Sequence, residues 1–536
     1  MLRKGISFLS FLALIQFSLS IWVSPPSVAQ EWEVKQARGT IKVVDLYLTA
    51  SSAMMNCAEG LIGLDKDNNV VPCLARNWRW IDDRTIELRL RRGVTFHNGE
   101  EFNADALRVN WEHYRKLKKP SIVTLEHLSD KTELRILDSH AVQFRFPEPE
   151  GLVFAKLFIF RLFAPAYFEE HGFGEQSWGF LAEPGPWGTG PFKLVKGSAL
   201  FTKPSDSIVL EAYEDYWDPR FPMVARVIFD LKLAQARDKA VGLCMETEGE
   251  IDIVSRIRPL DTLKVASSAF GKVVKSKDVA HFRGIYNQRK KGSKWKDVRL
   301  RRALNHAINR KELWRYAAKG NARNLDCFNI PPEAIGYTPN LTPYRYDTEL
   351  AKSLLAEAGY PGGFEMTIIT HEALKLEVQI AAKMLDRIGV KAHVDVDTFY
   401  GFMSKIYVPQ LELPPEEQQW DIQVDSFSDF YGHPGATFLS FGLSEESNFR
   451  WIEYDPIYEN MWRQMAQEVD VKEQESKIQE MVRYVHDKAY VFYLYSPLTL
   501  YAVNKEVDFV PQKSGFLRLM ETSVTDNHWS LRGQNN

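Results

Sequence analysis

Arg161 stands alone as a charge in the run Phe160-Arg161-Leu162-Phe163-Ala164-Pro165. A guanidinium in such surroundings has two uses. It clamps a carboxylate of a bound molecule with its planar fork of donors, or it pairs with a structural acid. Both stay open at this point. Residues that do covalent chemistry are present elsewhere, but not in working patterns. No Gly-x-Ser-x-Gly elbow occurs. His371-Glu372 continues as Ala-Leu-Lys, so the second histidine of a His-Glu-x-x-His zinc site is missing. Gly188-Thr189-Gly190-Pro191 is no phosphate loop, because Pro191 removes a backbone donor and no Gly-Lys-Ser/Thr follows. The 12 histidines are scattered, with none paired at helical spacing. Cys57, Cys73, Cys244 and Cys327 match no zinc spacing. They allow three pairings if all are bonded, Cys57 and Cys73 being nearest in sequence, and buried free thiols are the alternative. No catalytic residue, metal ligand or cofactor is therefore expected, and a secreted hydrolase survives only as a remote reading.

Composition narrows the classes further. The chain has 536 residues, 45% hydrophobic and 26% charged, as ordinary globular proteins have. The formal net charge of −3 gives no basic bias toward nucleic acid. The 14 Trp, 21 Tyr and 32 Phe suit an aromatic-lined cavity, although large cores use aromatics as well. Arg3 and Lys4 precede an apolar run from Ile6 to Val23, then Pro25-Pro26 and Ser27-Val28-Ala29. This reads as a signal peptide over residues 1–29, cut after Ala29, with an uncleaved anchor as the alternative. The first cysteine is Cys57, too late to carry a lipid at the cleavage site, so an exported, non-lipidated, soluble protein is expected.

The elements that would position these residues follow from periodicity and punctuation. Strands are expected at 41–48, 85–90, 142–146, 208–213 and 225–231. Asn103 should cap a helix that begins at Ala104, and the Gly- and Pro-dense residues 182–191 should be a loop near a lobe boundary. A helix over 299–308 is followed by the capping box Asn309 to Glu312, and Asp347 should cap a helix closed by Gly359. Strand 365–369, a helix closed by Gly389, and strand 390–396 form a βαβ unit, which implies a largely parallel sheet. Helices at 456–467 and 472–487 and a strand at 491–495 complete the pattern.

Several segments together resemble the extracytoplasmic solute-binding proteins, family 5, that feed ABC importers of dipeptides, oligopeptides and nickel. Ala58-Glu59-Gly60-Leu61 with Val71 to Trp78 is similar to the family's opening motif. Leu90 to Glu100, Gly188-Thr189-Gly190-Pro191-Phe192, Tyr213 to Trp217, Gly249-Glu250-Ile251-Asp252-Ile253, Val298 to Arg310 and Ala351 to Gly359 follow in family order. The resemblance implies an α/β, two-lobed periplasmic binding protein fold with an extra subdomain, closing by a hinge around its ligand. Residues 30–75, 181–277 and 490–536 would form lobe I, 76–180 the extra subdomain and 278–489 lobe II. Hinges would lie near 275–280 and 487–495. The implied function is capture of peptides or similar small zwitterions for permease subunits in the inner membrane, by a monomer that binds no nucleic acid. A nickel–chelator or other non-peptide solute is the alternative.

The same resemblance points to ligand-binding residues. Peptide-binding members carry an aspartate that pairs with the peptide's α-amino group, and within Asp425 to Pro434 the matching position is Asp429, with Phe427 and Phe430 beside it. Met55 and Asn56 precede the opening motif, where the family often touches ligand, and exposed Met pairs suit adaptable pockets. Phe282 and Arg283 sit at the crossover into lobe II, and Arg161 is the candidate carboxylate clamp. His97 and the 188–191 turn are expected to hold the fold, the glycines by supplying positive φ. Arg299, Arg301 and Arg302 are expected on a solvated face.

Overall fold

Residues 40–44 alternate, and Ile41 and Val43 are fully buried in a seven-stranded sheet. The strand ends at Val44 rather than continuing to residue 48, because Asp45 turns inward. Its carboxylate accepts the Ser52 and Ser255 hydroxyls at 2.6 and 2.7 Å, and helix Thr49–Cys57 follows. The structure is a computed structural model that describes residues 36–46, 49–116, 131–171, 182–183, 185, 187–198, 205–277, 280–324, 330–406, 416–437, 439 and 451–532. The segment 1–29 and Cys327 lie outside the described residues.

Across the seven-stranded sheet the order is Gly271–Ser276, Thr499–Asn504, Ile253–Val254, Thr40–Val44, Arg226–Asp230, Ser207–Ala212 and Phe192–Lys196. Only the central pairings of Thr40–Val44 are parallel. A six-stranded sheet runs Ala322–Asn324, Val491–Pro497, Ala280–Tyr286, Ile422–Ser428, Phe364–His371 and Val390–Asp397. The βαβ unit is real, with Phe364–His371 and Val390–Asp397 parallel over eight residue pairs. The sheet as a whole is not largely parallel, however. Antiparallel pairing of Ala280–Tyr286 with both Ile422–Ser428 and Val491–Pro497 makes that half antiparallel. A four-stranded antiparallel sheet, Ala75–Asp82, Thr85–Leu90, Ala141–Arg145 and Glu133–Asp138, has its own aromatic core around Trp78, Trp111, Phe144 and Phe160.

The chain crosses between the two large sheets twice. One crossing runs from Ser276 to Ala280. The other falls at Leu498, between Val491–Pro497 and Thr499–Asn504. Strand Val491–Pro497, assigned from sequence to lobe I, is therefore hydrogen-bonded into the second sheet. Its seven residues are all buried, so nothing in its composition marks which sheet takes it.

Local chemistry explains the element ends. Asn103 accepts from Asp105 N and Ala106 N at 3.0 Å, and Asp347 accepts from Leu350 N at 2.9 Å. Arg301 overturns the expected solvated face. It is 3% exposed and donates to Trp295 O at 2.5 Å and to Lys488 O and Ala489 O, tying helix Val298–Ala307 to the end of helix Val471–Asp487. The 188–191 turn needs glycine for a different reason than expected. A Cβ on Gly188 would lie 2.2 Å from Cys57 O, so close approach rather than positive φ excludes a side chain. His97 Nε2 lies 2.9 Å from Gly190 O and holds this turn. Cys57, Cys73 and Cys244 are free and buried.

The C-terminal segment is locked by the aspartate of the 249–253 motif. Asp252 is fully buried and accepts from Lys42 N at 2.9 Å and from Asn504 Nδ2, His528 Nε2 and Trp529 Nε1, each at 3.0 Å. Removing the acceptor leaves several donors unpaired at about 1–3 kcal/mol each. Asp252→Ala is expected to cost about 3–5 kcal/mol of stability, read as a lowered urea midpoint. An unchanged midpoint would refute the lock.

Candidate functional site

Three motifs meet at one buried carboxylate. Glu59 accepts from Tyr216 Oη at 2.7 Å, Trp217 Nε1 at 2.9 Å, Thr189 Oγ1 at 3.0 Å and Cys73 Sγ at 3.5 Å. Burial pushes its pKa up against the lowering effect of these four donors. Its backbone carbonyl accepts from Leu162 N at 3.0 Å, so Glu59 also seats the segment that carries Arg161.

Arg161 is 7% exposed. Nη1 donates to Ala58 O at 3.2 Å, and the guanidinium lies 4.5 Å from the centroid of the Phe158 ring. Nε and Nη2 have no hydrogen-bond partner among the described residues. Desolvation, with like charge from Arg518 second, pushes the guanidinium down to about 10. The expected structural acid is thus not paired with it. Arg518, in the C-terminal segment, was not visible as a site residue from sequence. Its Nη1 donates to Leu64 O.

The Phe158 ring belongs to a core at the seam where helices Thr49–Cys57 and Val153–Ile159 and strand Ile62–Leu64 meet the six-stranded sheet. Met55, Leu64 and Phe158 pack there with Ile285, Ile369 and Tyr493. Met55 therefore faces this seam, whereas its neighbour Met54 packs into the seven-stranded-sheet core. Asn56 does not offer free polar atoms to a solute. Its Nδ2 donates to Ser52 O and Leu517 O, both at 2.7 Å, and its Oδ1 accepts from Leu519 N at 2.8 Å. Arg283 is fully buried, pairs in register with Asp425 and Tyr493, and its guanidinium lies 4.1 Å from the Phe427 ring centroid. Phe282 points the other way, since successive strand residues face opposite sides. It packs on Tyr495 at 5.1 Å, in the helix-covered core of the six-stranded sheet. Arg283 and Phe427 are thus brought to the seam, and Phe282 is not.

Asp429 closes its own loop. It is 2% exposed, and Oδ1 accepts from Thr437 Oγ1 at 2.5 Å and His433 N at 3.0 Å. Its carbonyl accepts from Asn68 Nδ2 at 3.1 Å, a contact from the tip of the hairpin Ile62–Leu64 and Val70–Pro72. Burial raises its pKa to about 6 against the Thr437 and backbone hydrogen bonds. The Phe430 ring packs tilted against Phe516, with centroids 5.3 Å apart. A cavity of about 310 Å³ opens beside Asp429, walled by the hairpin tip, Trp80, Phe154, Arg323, Glu333, His433 and Lys513. Two of its cations are matched by acids, Lys513 by Asp67 at 2.9 Å and Arg323 by Glu333 at 2.5 Å. Asp429 contacts only neutral donors, so the wall keeps one negative charge in excess. Among the described residues no cluster of three His, Cys, Asp or Glu is close enough to hold a metal.

The raised acid sets a pH signature. A carboxyl whose folded pKa lies above its unfolded value binds more protons in the native state, so stability falls as pH rises between the two. Asp429 is expected to make unfolding free energy decline by up to about 1.4 kcal/mol per pH unit between about pH 4 and 6. Asp429→Asn should flatten that part of the profile. Identical profiles for the two proteins would exclude the titration.

Comparison with known proteins places the chain. The sequence model of bacterial extracellular solute-binding proteins, family 5 middle, matches residues 69–449. The glutathione-binding protein GsiB of Salmonella choleraesuis is 27% identical over 398 residues, covering 72% of this chain and 73% of its own. The periplasmic binding protein DppA from Helicobacter pylori, in complex with the peptide STSA, superposes with TM-score 0.75 at 20% identity, covering 91% of this chain and 98% of its own. NikA from Brucella suis, in complex with Fe(III)-EDTA, gives TM-score 0.75 at 19% identity, covering 91% and 100%.

Proposed function

Because this chain belongs to the bacterial extracellular solute-binding proteins of family 5, we propose that it is the periplasmic, non-lipidated capture component of an ABC importer for peptides or similar small zwitterions. It delivers its solute to permease subunits and catalyses no reaction. Among the described residues no helix is long and apolar enough to cross a membrane. The observation that carries the reading is Arg161, a buried guanidinium at the seam with two donor nitrogens unused by the protein. A carboxylate supplied by the solute fits that edge with a bidentate, charge-assisted pair. The uncompensated carboxylate of Asp429, across the hairpin tip in the cavity wall, supports an ammonium at the other end. Met55, Arg283, Phe427 and Phe430 would line the space between, while Asn56 and Phe282 take structural roles.

Lobe I in this reading comprises 30–75, 181–277 and the chain after Leu498, with 76–180 as the extra subdomain and the rest as lobe II. The solute then sits where the lobes meet, and closure over it signals loading. Glutathione, the solute named for the Salmonella relative, has an ammonium and carboxylates on a flexible backbone, as this site asks. A metal–chelator solute, as in the Brucella NikA complex, presents carboxylates to the same arginine and is the second reading.

Native mass spectrometry of protein purified from a bacterial periplasm tests the solute class directly. A peptide or amino-acid conjugate leaving on denaturation supports the first reading, and a metal isotope pattern supports the second. With the solute in hand, calorimetry of two variants tests the site. Arg161→Gln is expected to weaken binding at least tenfold without lowering the unfolding temperature, because it removes a charge that the protein does not pair. Asp429→Ala is expected to weaken an amine-bearing solute at least tenfold as well. Unchanged affinity in either variant would remove that residue from the site.

A further inference from the structure

The acid end of this site holds more positive charge than one carboxylate neutralises. Arg161 and Arg518 anchor on the same short stretch, the first on Ala58 O and the second on Leu64 O. Asn56 fixes the register of the segment that carries Arg518, by gripping the backbone of Leu517 and Leu519 on either side of it. Arg91 adds a third cation nearby, with Nε donating to Cys73 O at 3.1 Å and the guanidinium 3.9 Å from the Trp217 ring centroid. Glu59 is the acid in this neighbourhood, and its oxygens are already taken by four neutral or weakly polar donors. Neither Arg161 nor Arg518 has a carboxylate at ion-pair distance among the described residues. Like charges repel most strongly where solvent is scarce, so an anion between the buried Arg161 and the half-buried Arg518 would relieve the arrangement. Burial and the charge of Arg518 both disfavour the Arg161 cation, which agrees with that geometry.

We propose that Arg518 is a second cation of the carboxylate subsite, and that the acid end of the solute carries two negative charges, as two carboxylates on neighbouring or geminal carbons do. The proposal rests on the carboxylate role given to Arg161 above. One guanidinium would take one carboxylate through Nε and Nη2 of Arg161. The other carboxylate would meet Arg518, whose Nη1 is held by Leu64 O and whose Nη2 faces the weak acceptor Met520 Sδ at 3.9 Å. A monocarboxylate leaves one of the two cations unmatched.

Two matched probes decide it. Malonate and acetate, compared at equal ionic strength, differ in carrying two carboxylates or one. Malonate is expected to raise the unfolding temperature of the full mature chain, and acetate is not. Arg518→Gln should abolish the malonate shift while leaving the unliganded unfolding temperature near that of wild type. Arg518→Lys, which keeps the charge and loses the planar fork, should restore part of it. The tripeptides Ala-Ala-Asp and Ala-Ala-Asn carry the same test into calorimetry. The first is expected to bind at least tenfold more tightly to wild type, and Arg518→Gln should bring the ratio close to one. No malonate shift, or one untouched by Arg518→Gln, overturns the proposal. A malonate shift that depends on Arg518, with neither tripeptide binding, upholds the dianionic subsite and removes the peptide reading instead. Loss of the malonate shift in Arg518→Gln but not in Arg161→Gln would remove Arg161 from the subsite and overturn the pairing proposed.

Discussion

The arrangement depends first on a carboxylate that touches no cation at hydrogen-bond distance. Glu59 is buried and satisfied by Tyr216, Trp217, Thr189 and Cys73, which come from three stretches widely separated in sequence. Each donor is neutral, so Glu59 is satisfied without forming an ion pair that would consume a neighbouring arginine. A buried carboxylate costs several kcal/mol unless hydrogen bonds compensate it. That cost is what makes all three stretches converge, since losing any one strands the charge. The same residue's carbonyl takes Leu162 N, which sets the backbone on which Arg161 rides. The position of the free guanidinium edge is thus decided by an acid that does not bind it.

Several elements were legible in the sequence because the interactions that make them are local. Asn103 and Asp347 reach amides two or three residues on, and Gly359 and Gly389 take positive φ at helix ends. Asn309 does accept from Glu312 N, yet only half of the expected capping box forms. The Glu312 carboxylate turns to Asn309 Nδ2 at 3.1 Å and to Arg387 at 3.0 Å instead of reaching the cap's backbone amide. A distant cation competed for it, and spacing alone carries no sign of that competitor.

The same distinction separates the site residues. Arg161 was readable as a charge against an apolar background. The partners that occupy Asn56, Leu517 and Leu519, lie at the far end of the chain, so spacing gives no sign of them. Phe282 and Arg283 are adjacent in sequence, yet a strand sends neighbours to opposite faces. Arg518 gave no signal, since it sits in a mixed polar segment and owes its place to Asn56 and Leu64. Asp429, the position singled out by resemblance, braces its own loop, which does not exclude the binding role proposed for it. The brace uses neutral donors, which leaves the charge itself unbalanced at the cavity wall.

Closure and charge are coupled by this geometry. Met55, Leu64 and Phe158 share one core at the seam with Ile285, Ile369 and Tyr493 of the six-stranded sheet, so under the proposed closure bringing these elements together gains hydrophobic burial whether or not a solute is present. A binding protein that closed on that gain alone would report loading falsely. Under the proposed function the buried Arg161, with two donors unpaired by the protein, would oppose it. In the proposed reading an anionic solute would cancel that penalty, and would do so only in a closed state with both lobes around it. Differential affinity of this kind is what a ligand needs in order to shift a conformational equilibrium. An uncharged solute of the same shape would fill the space and leave the penalty standing. On this view the unpaired arginine is the part of the site that makes closure conditional on the right charge.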